Sequence, residues 1–79
     1  MKLPRDISGE ELIQILQRVG YQPVRQTGSH VRMACTVAEN THHITIPKHK
    51  NLRLGTLNSI LQDVAGYLGV EKEEILKKR

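Results

Sequence analysis

The apolar residues change period twice along this chain, and nothing else in the sequence constrains its fold as tightly. Leu12, Ile13, Ile15, Leu16 and Val19 recur at helical spacing. Ser8 and Glu11 stand three apart, as in a capping box, and Gly20 suits a left-handed stop. These features predict a helix over about residues 9–19. The period then drops to two: Val31, Met33, Cys35 and Val37 alternate with His30, Arg32, Ala34 and Thr36, as in a strand with one buried face. Before it, Tyr21 to Thr27 contains Pro23 and reads as an edge strand, because proline donates nothing to a central ladder. Gly28-Ser29 supplies the turn between them. Ala38-Glu39-Asn40-Thr41 supplies the next, and a third strand follows with Ile44 and Ile46 on one face, His43 and Thr45 on the other, and Pro47 at its end. Helical spacing returns at Leu57, Ile60, Leu61, Val64, Ala65 and Leu68, with Gly55-Thr56 at the start and Gly69 at the end. Glu71 to Lys78 has room for one short further helix, with Ile75 and Leu76 docking back and a fraying Lys-Lys-Arg end.

The expected fold class is therefore α+β: a two-layer arrangement of helix, three-stranded antiparallel sheet and helix, with a short C-terminal helix. Both long helices cover one sheet face. The 79 residues suit a single domain over 1–79, without space for a separate cofactor domain. A chain of this size buries only about 60% of its unfolded surface. Phe and Trp are absent, so the core is expected to be aliphatic, drawn from nine Leu, seven Ile and six Val. The single cysteine, Cys35, forms no internal disulfide. Met1 to Asp6 lacks the apolar stretch of a signal peptide, and no segment approaches a membrane span of about 20 residues. A soluble, cytoplasmic protein is the expectation.

With the helices on the apolar face, the other face presents His30, Arg32, His43 and Thr45, and it is the place to look for a site. The formal charge is +4, but it is unevenly spread. Residues 12–62 carry Arg18, Arg25, Arg32, Lys48, Lys50 and Arg53 against Glu39 alone, for +5, together with all four histidines. Scattered bases keep a small domain soluble; the alternative is a phosphate-binding surface. Lys48-His49-Lys50-Asn51-Leu52-Arg53 runs into the start of the second helix, where free N–H groups favour an anion, or else forms a solvated loop. Metal chemistry fits poorly. His42 and His43 point to opposite faces, and no Cys pair or His-Glu-x-x-His pattern is present. Cys35 and Ser29 both face away from His30 in a regular strand, and Gly55-Thr56 lacks the rest of a phosphate-binding loop.

Four groups of residues then combine: Gly20-Tyr21; Arg25-Gln26-Thr27-Gly28-Ser29-His30; Ile46-Pro47-Lys48-His49; and Leu54-Gly55-Thr56-Leu57-Asn58-Ser59-Ile60-Leu61. Together they resemble the HicA toxins, the mRNA interferases of HicA–HicB toxin–antitoxin pairs, from about Ser8 to Leu76. The resemblance implies a double-stranded-RNA-binding-domain-like fold. It also implies RNA cleavage without metal or other cofactor, His30 in the catalytic position, and a HicB-type antitoxin that blocks the same surface. One position departs from the family: three residues after His30, where an aromatic is frequent, the chain has Met33, which by parity faces the core.

The resulting expectation is a sequence-tolerant ribonuclease toxin that cleaves single-stranded or translated mRNA. Histidine exchanges protons near neutral pH, so His30 serves as general acid–base, with the ribose 2′-hydroxyl as nucleophile. Arg32 stabilises charge on the phosphoryl oxygens. Arg25, Arg32, Lys48, Lys50 and Arg53 hold the RNA backbone, aided by Gly28 and Ser29 in the turn; His49 is a second acid–base group, a phosphate contact or a loop residue, with the last two favoured. The competing readings are a non-catalytic RNA-binding module of the same fold and a pure protein-interaction domain.

Overall fold

A computed structural model describes Leu3, Pro4 and residues 6–78. The first helix, α1 (Gly9–Arg18), begins where the Ser8 hydroxyl accepts the Glu11 N–H at 3.0 Å. Glu10 and Glu11 in its first turn and Arg18 in its last both suit the helix dipole. It ends in a Schellman turn, in which the Gly20 N–H donates to Gln17 O at 3.3 Å and the Tyr21 N–H to Leu16 O at 3.0 Å. Gly20, with φ of 113°, supplies the backbone conformation that this stop needs.

Three strands follow, β1 (Gln22–Thr27), β2 (His30–Val37) and β3 (Asn40–Pro47), paired antiparallel in the order β1-β2-β3. Burial alternates along β2 as the period of two requires: Val31, Met33 and Cys35 go inward and His30 and Arg32 outward. β1 is the expected edge strand. A bulge between Pro23 and Arg25 interrupts its register, a common way of blunting an exposed edge. The third strand starts earlier than the apolar pattern alone suggests, so the β2–β3 turn narrows to Ala38-Glu39, with Ala38 at a φ of 55°.

The helices α1, α2 (Leu54–Leu68) and α3 (Lys72–Leu76) complete the molecule. The inward sheet residues pack against Leu12, Ile15 and Leu16 of α1, Leu57, Leu61 and Val64 of α2, and Ile75 of α3. The body is 18 Å in its thinnest dimension, room for one helix layer of about 10 Å and a sheet. The outward face of the sheet is open, as expected.

Two details depart from the sequence reading. The core is not wholly aliphatic, because Tyr21 is fully buried within it. Val37 continues the alternation but is 49% exposed. Helix α3 stops at Leu76, before the Lys-Lys-Arg ending, where the Lys78 carbonyl accepts from Arg18 Nη1 at 2.5 Å. Arg79 lies outside the described residues, as do Met1, Lys2 and Arg5 of the segment read above for a leader.

The segment between β3 and α2 is stitched to the start of α1. The Gly9 N–H donates to His49 O and the Leu52 N–H to Ile7 O, both at 2.9 Å. These bonds fix the bases of that segment relative to the sheet.

Candidate active site

His30 opens β2 directly after the Gly28-Ser29 turn, where Gly28 takes a φ of 58°. Its neighbours follow from register: His30 lies between Thr27 on β1 and Pro47 on β3, and Arg32 between Arg25 and Thr45. Arg25, Thr27, His30, Arg32 and Thr45 line a shallow depression of about 240 Å³ on the outward face. All five are exposed, and no carboxylate joins them in that lining. Among the described residues, none of the five has a side-chain hydrogen bond or ion pair. Two guanidinium groups directly opposed across antiparallel strands destabilise a sheet. Here no acid offsets that cost, and the arrangement suits a bound anion instead.

The remaining residues expected in the site separate into two places. Lys48 turns to the helix side. Its Nζ lies 3.4 Å from Glu10 Oε1, and it borders a groove of about 290 Å³ with Ile13, Gln14 and Gln26. Its backbone is nonetheless tied to the turn, with the Lys48 N–H donating to Ser29 O at 2.6 Å. His49 and Arg53 line a second depression of about 330 Å³ with Asn51 and Thr56, and exposed Lys50 lies in the same loop. Arg53 occupies the N-cap of α2 and makes no side-chain cap bond. Pro47 links the two depressions, since it pairs with His30 and also lines the second. The concentrated charge of the linear sequence thus resolves into an Arg25–His30–Arg32 group, a His49–Lys50–Arg53 group, and Lys48 on the other side.

One polar cluster went unread in the sequence. His42 faces inward, its Nδ1 2.7 Å from the Tyr21 hydroxyl and its Nε2 3.3 Å from Asp63 Oδ1. Its ring stacks on Tyr67 at 4.8 Å between centroids. The Asp63 carboxylate favours the proton on Nε2, which leaves Nδ1 to accept the Tyr21 O–H. Burial, and then the nearby Cys35, Tyr67 and Asp63 side chains, push the Tyr21 hydroxyl well above the ordinary tyrosine range. The order acid, imidazole, hydroxyl mimics a nucleophilic triad, but Tyr21 is fully buried, so no substrate reaches it. Tyr67 has a related task. Its hydroxyl accepts the Val37 N–H at 3.0 Å and shares its own proton between the carbonyls of Cys35 and Asn40, which pins the tip of the β2–β3 hairpin to α2. The available signal was that Tyr21 and Tyr67 are the only aromatic residues of the Phe, Trp and Tyr class in the chain.

The outward His30, the paired arginines and the Pro47-linked loop bring together two of the segments on which the resemblance rested, Arg25–His30 and Ile46–His49, and Thr56 of a third, while Gly20-Tyr21 lies in the buried cluster. The family described as HicA toxin of bacterial toxin-antitoxin matches residues 9–65, from the first residue of α1 to within the last turn of α2. The chain belongs to the HicA toxin family. The match takes in the whole sheet and both depressions, whereas α3 lies beyond it. No curated protein and no solved structure matches the chain. Among the described residues, no helix of this HicA-type toxin is long and apolar enough to cross a membrane.

Proposed function

We propose that this HicA-type toxin is an endoribonuclease that cleaves mRNA at the outward sheet face. The observation that carries the reading is an exposed histidine beside two guanidinium groups with no acid to neutralise them. His30 takes the proton of a ribose 2′-hydroxyl, and that oxygen attacks the adjacent phosphorus. The bond from phosphorus to the 5′-oxygen breaks, and the departing oxygen takes a proton from the imidazolium or from water. The products are a 2′,3′-cyclic phosphate and a 5′-hydroxyl. Arg25 and Arg32 stabilise the charge that grows on the non-bridging oxygens.

The backbone on one side of the cleaved bond continues over Pro47 to His49, Lys50 and Arg53, with Gly28 and Ser29 allowing close approach at the turn. Lys48 joins it by releasing Glu10, an exchange that costs little because a surface ion pair is worth about 0–1 kcal/mol. A HicB-type antitoxin inhibits by covering this face.

The test is incubation of labelled RNA with the protein and with His30→Ala, in EDTA. Wild-type protein is expected to cut and to leave cyclic phosphate ends, whereas the variant loses about 10²–10⁴-fold in rate and keeps its melting temperature. Products bearing 3′-hydroxyl ends would overturn the chemistry. Equal RNA binding by both proteins without cleavage would leave a binding module of the same fold.

A further inference from the structure

We infer that the RNA crosses the sheet as a single strand, from His30 to His43, and seats one unpaired base on the row Gln22–Ala34–His43. The inference rests on the RNA reading above and adds the path of the strand over the sheet and its second contact.

The outward face is a sequence of rows set by register. Thr27, His30 and Pro47 form the first, Arg25, Arg32 and Thr45 the second, and Gln22, Ala34 and His43 the third. The bulge between Pro23 and Arg25 puts Gln22 on this face: it inserts one residue, so Gln22 shares the outward side with Arg25 across an odd step. No Asp or Glu occurs in any of these rows. From the first row to the third is four residues of β2, about 14 Å at strand spacing.

The third row differs in kind from the second. Its centre is Ala34, the smallest outward side chain on β2, and it is flanked by a carboxamide and an imidazole. That combination gives a base a flat floor, a ring to stack on and a group for edge hydrogen bonds. His43 is free for the role: it is exposed and, among the described residues, has no side-chain hydrogen bond, ion pair or ring contact. Its neighbour His42 is fully engaged. In a duplex the base faces are already stacked, so the seat accepts only an unpaired base.

The experiment compares a dinucleotide, a single-stranded octanucleotide and the same octanucleotide annealed to its complement. Wild-type kcat/KM is expected to favour the single-stranded octanucleotide over both other substrates. His43→Ala should reduce the preference over the dinucleotide about 5- to 150-fold, the range for losing one stacked base. His43→Phe should preserve it, which a merely structural histidine would not. Fluorescence anisotropy of the His30→Ala protein, with and without His43→Ala, gives the same ratio where no cleavage occurs. An unchanged preference in His43→Ala, or a duplex handled as well as the single strand, would overturn the inference while leaving the ribonuclease reading intact. A wild-type protein that neither binds nor cuts any of the three would overturn both.

Discussion

At the residue scale, Gly9 is the glycine with the least freedom to change. A Cβ there would overlap the Pro47 carbonyl oxygen and stand 2.8 Å from Lys48 Cα, both backbone atoms that cannot swing aside. Gly9→Ala is therefore expected to destabilise the protein by about 1–3 kcal/mol, as overpacking does. Gly66, in the last turn of α2, has nothing within 4 Å of its would-be Cβ. Gly66→Ala should accordingly add up to about 0.5 kcal/mol through helix propensity alone, the low end of the range for a helix interior. Urea denaturation of the two variants gives opposite shifts if the close approach is what requires glycine. In the sequence, Gly9 was only the residue after the helix cap. Its neighbour Pro47 is distant along the chain, and local pattern does not report such encounters.

At the scale of elements, the aspartate, histidine and two tyrosines join α2, β3 and the α1–β1 connection. Tyr21→Phe removes a bond from a buried hydroxyl and leaves His42 Nδ1 without its donor, a loss of about 1 kcal/mol near neutral pH. The pH dependence has a definite sign. Tyr21 holds its proton more tightly folded than unfolded, so its contribution is constant below the ordinary tyrosine value of about 10 and falls as pH rises above it. Tyr21→Phe has no such group, and the stability gap between the two proteins should narrow above about pH 10. Urea midpoints measured from neutral to strongly alkaline pH check this, and a constant gap would contradict it. The elements themselves were legible because their signals are local: alternation for β2, helical recurrence for α1 and α2. Parity even assigned His42 and His43 to opposite faces. Parity names no partners, though, and Asp63 meets His42 only because of how α2 crosses β3. The same limit hid Tyr21, which an aliphatic reading of the core passed over.

For the molecule as a whole, the proposed function has the opposed arginines set stability against binding. Arg25→Thr or Arg32→Thr removes a like-charge pair and is expected to leave the melting temperature equal or higher. RNA affinity should fall, and each variant should lower the slope of log affinity against log salt by about one. Calorimetry together with a salt titration of RNA binding tests both halves. A variant that lost stability and kept its salt slope would assign the arginines to structure. His30 and Arg32 were readable as one site because they share a strand at even spacing. Arg25 could be nominated for its charge, but its place opposite Arg32 depends on hairpin register. Lys48 shows the converse: a run of bases in the sequence is not a patch in space, and just past the end of β3 its side chain turns to Glu10.

The edge position of β1 has a mechanical consequence. Every residue of that strand is exposed, and its pairing is to β2 alone, whereas β2 is paired on both sides and anchored through Val31, Met33 and Cys35. Segments with little buried apolar surface open locally at a fraction of the global unfolding free energy. The two guanidiniums therefore sit on supports of unequal stiffness, Arg32 on a rigid jaw and Arg25 on a compliant one, and under the proposed function the spacing between them would adjust to the phosphate.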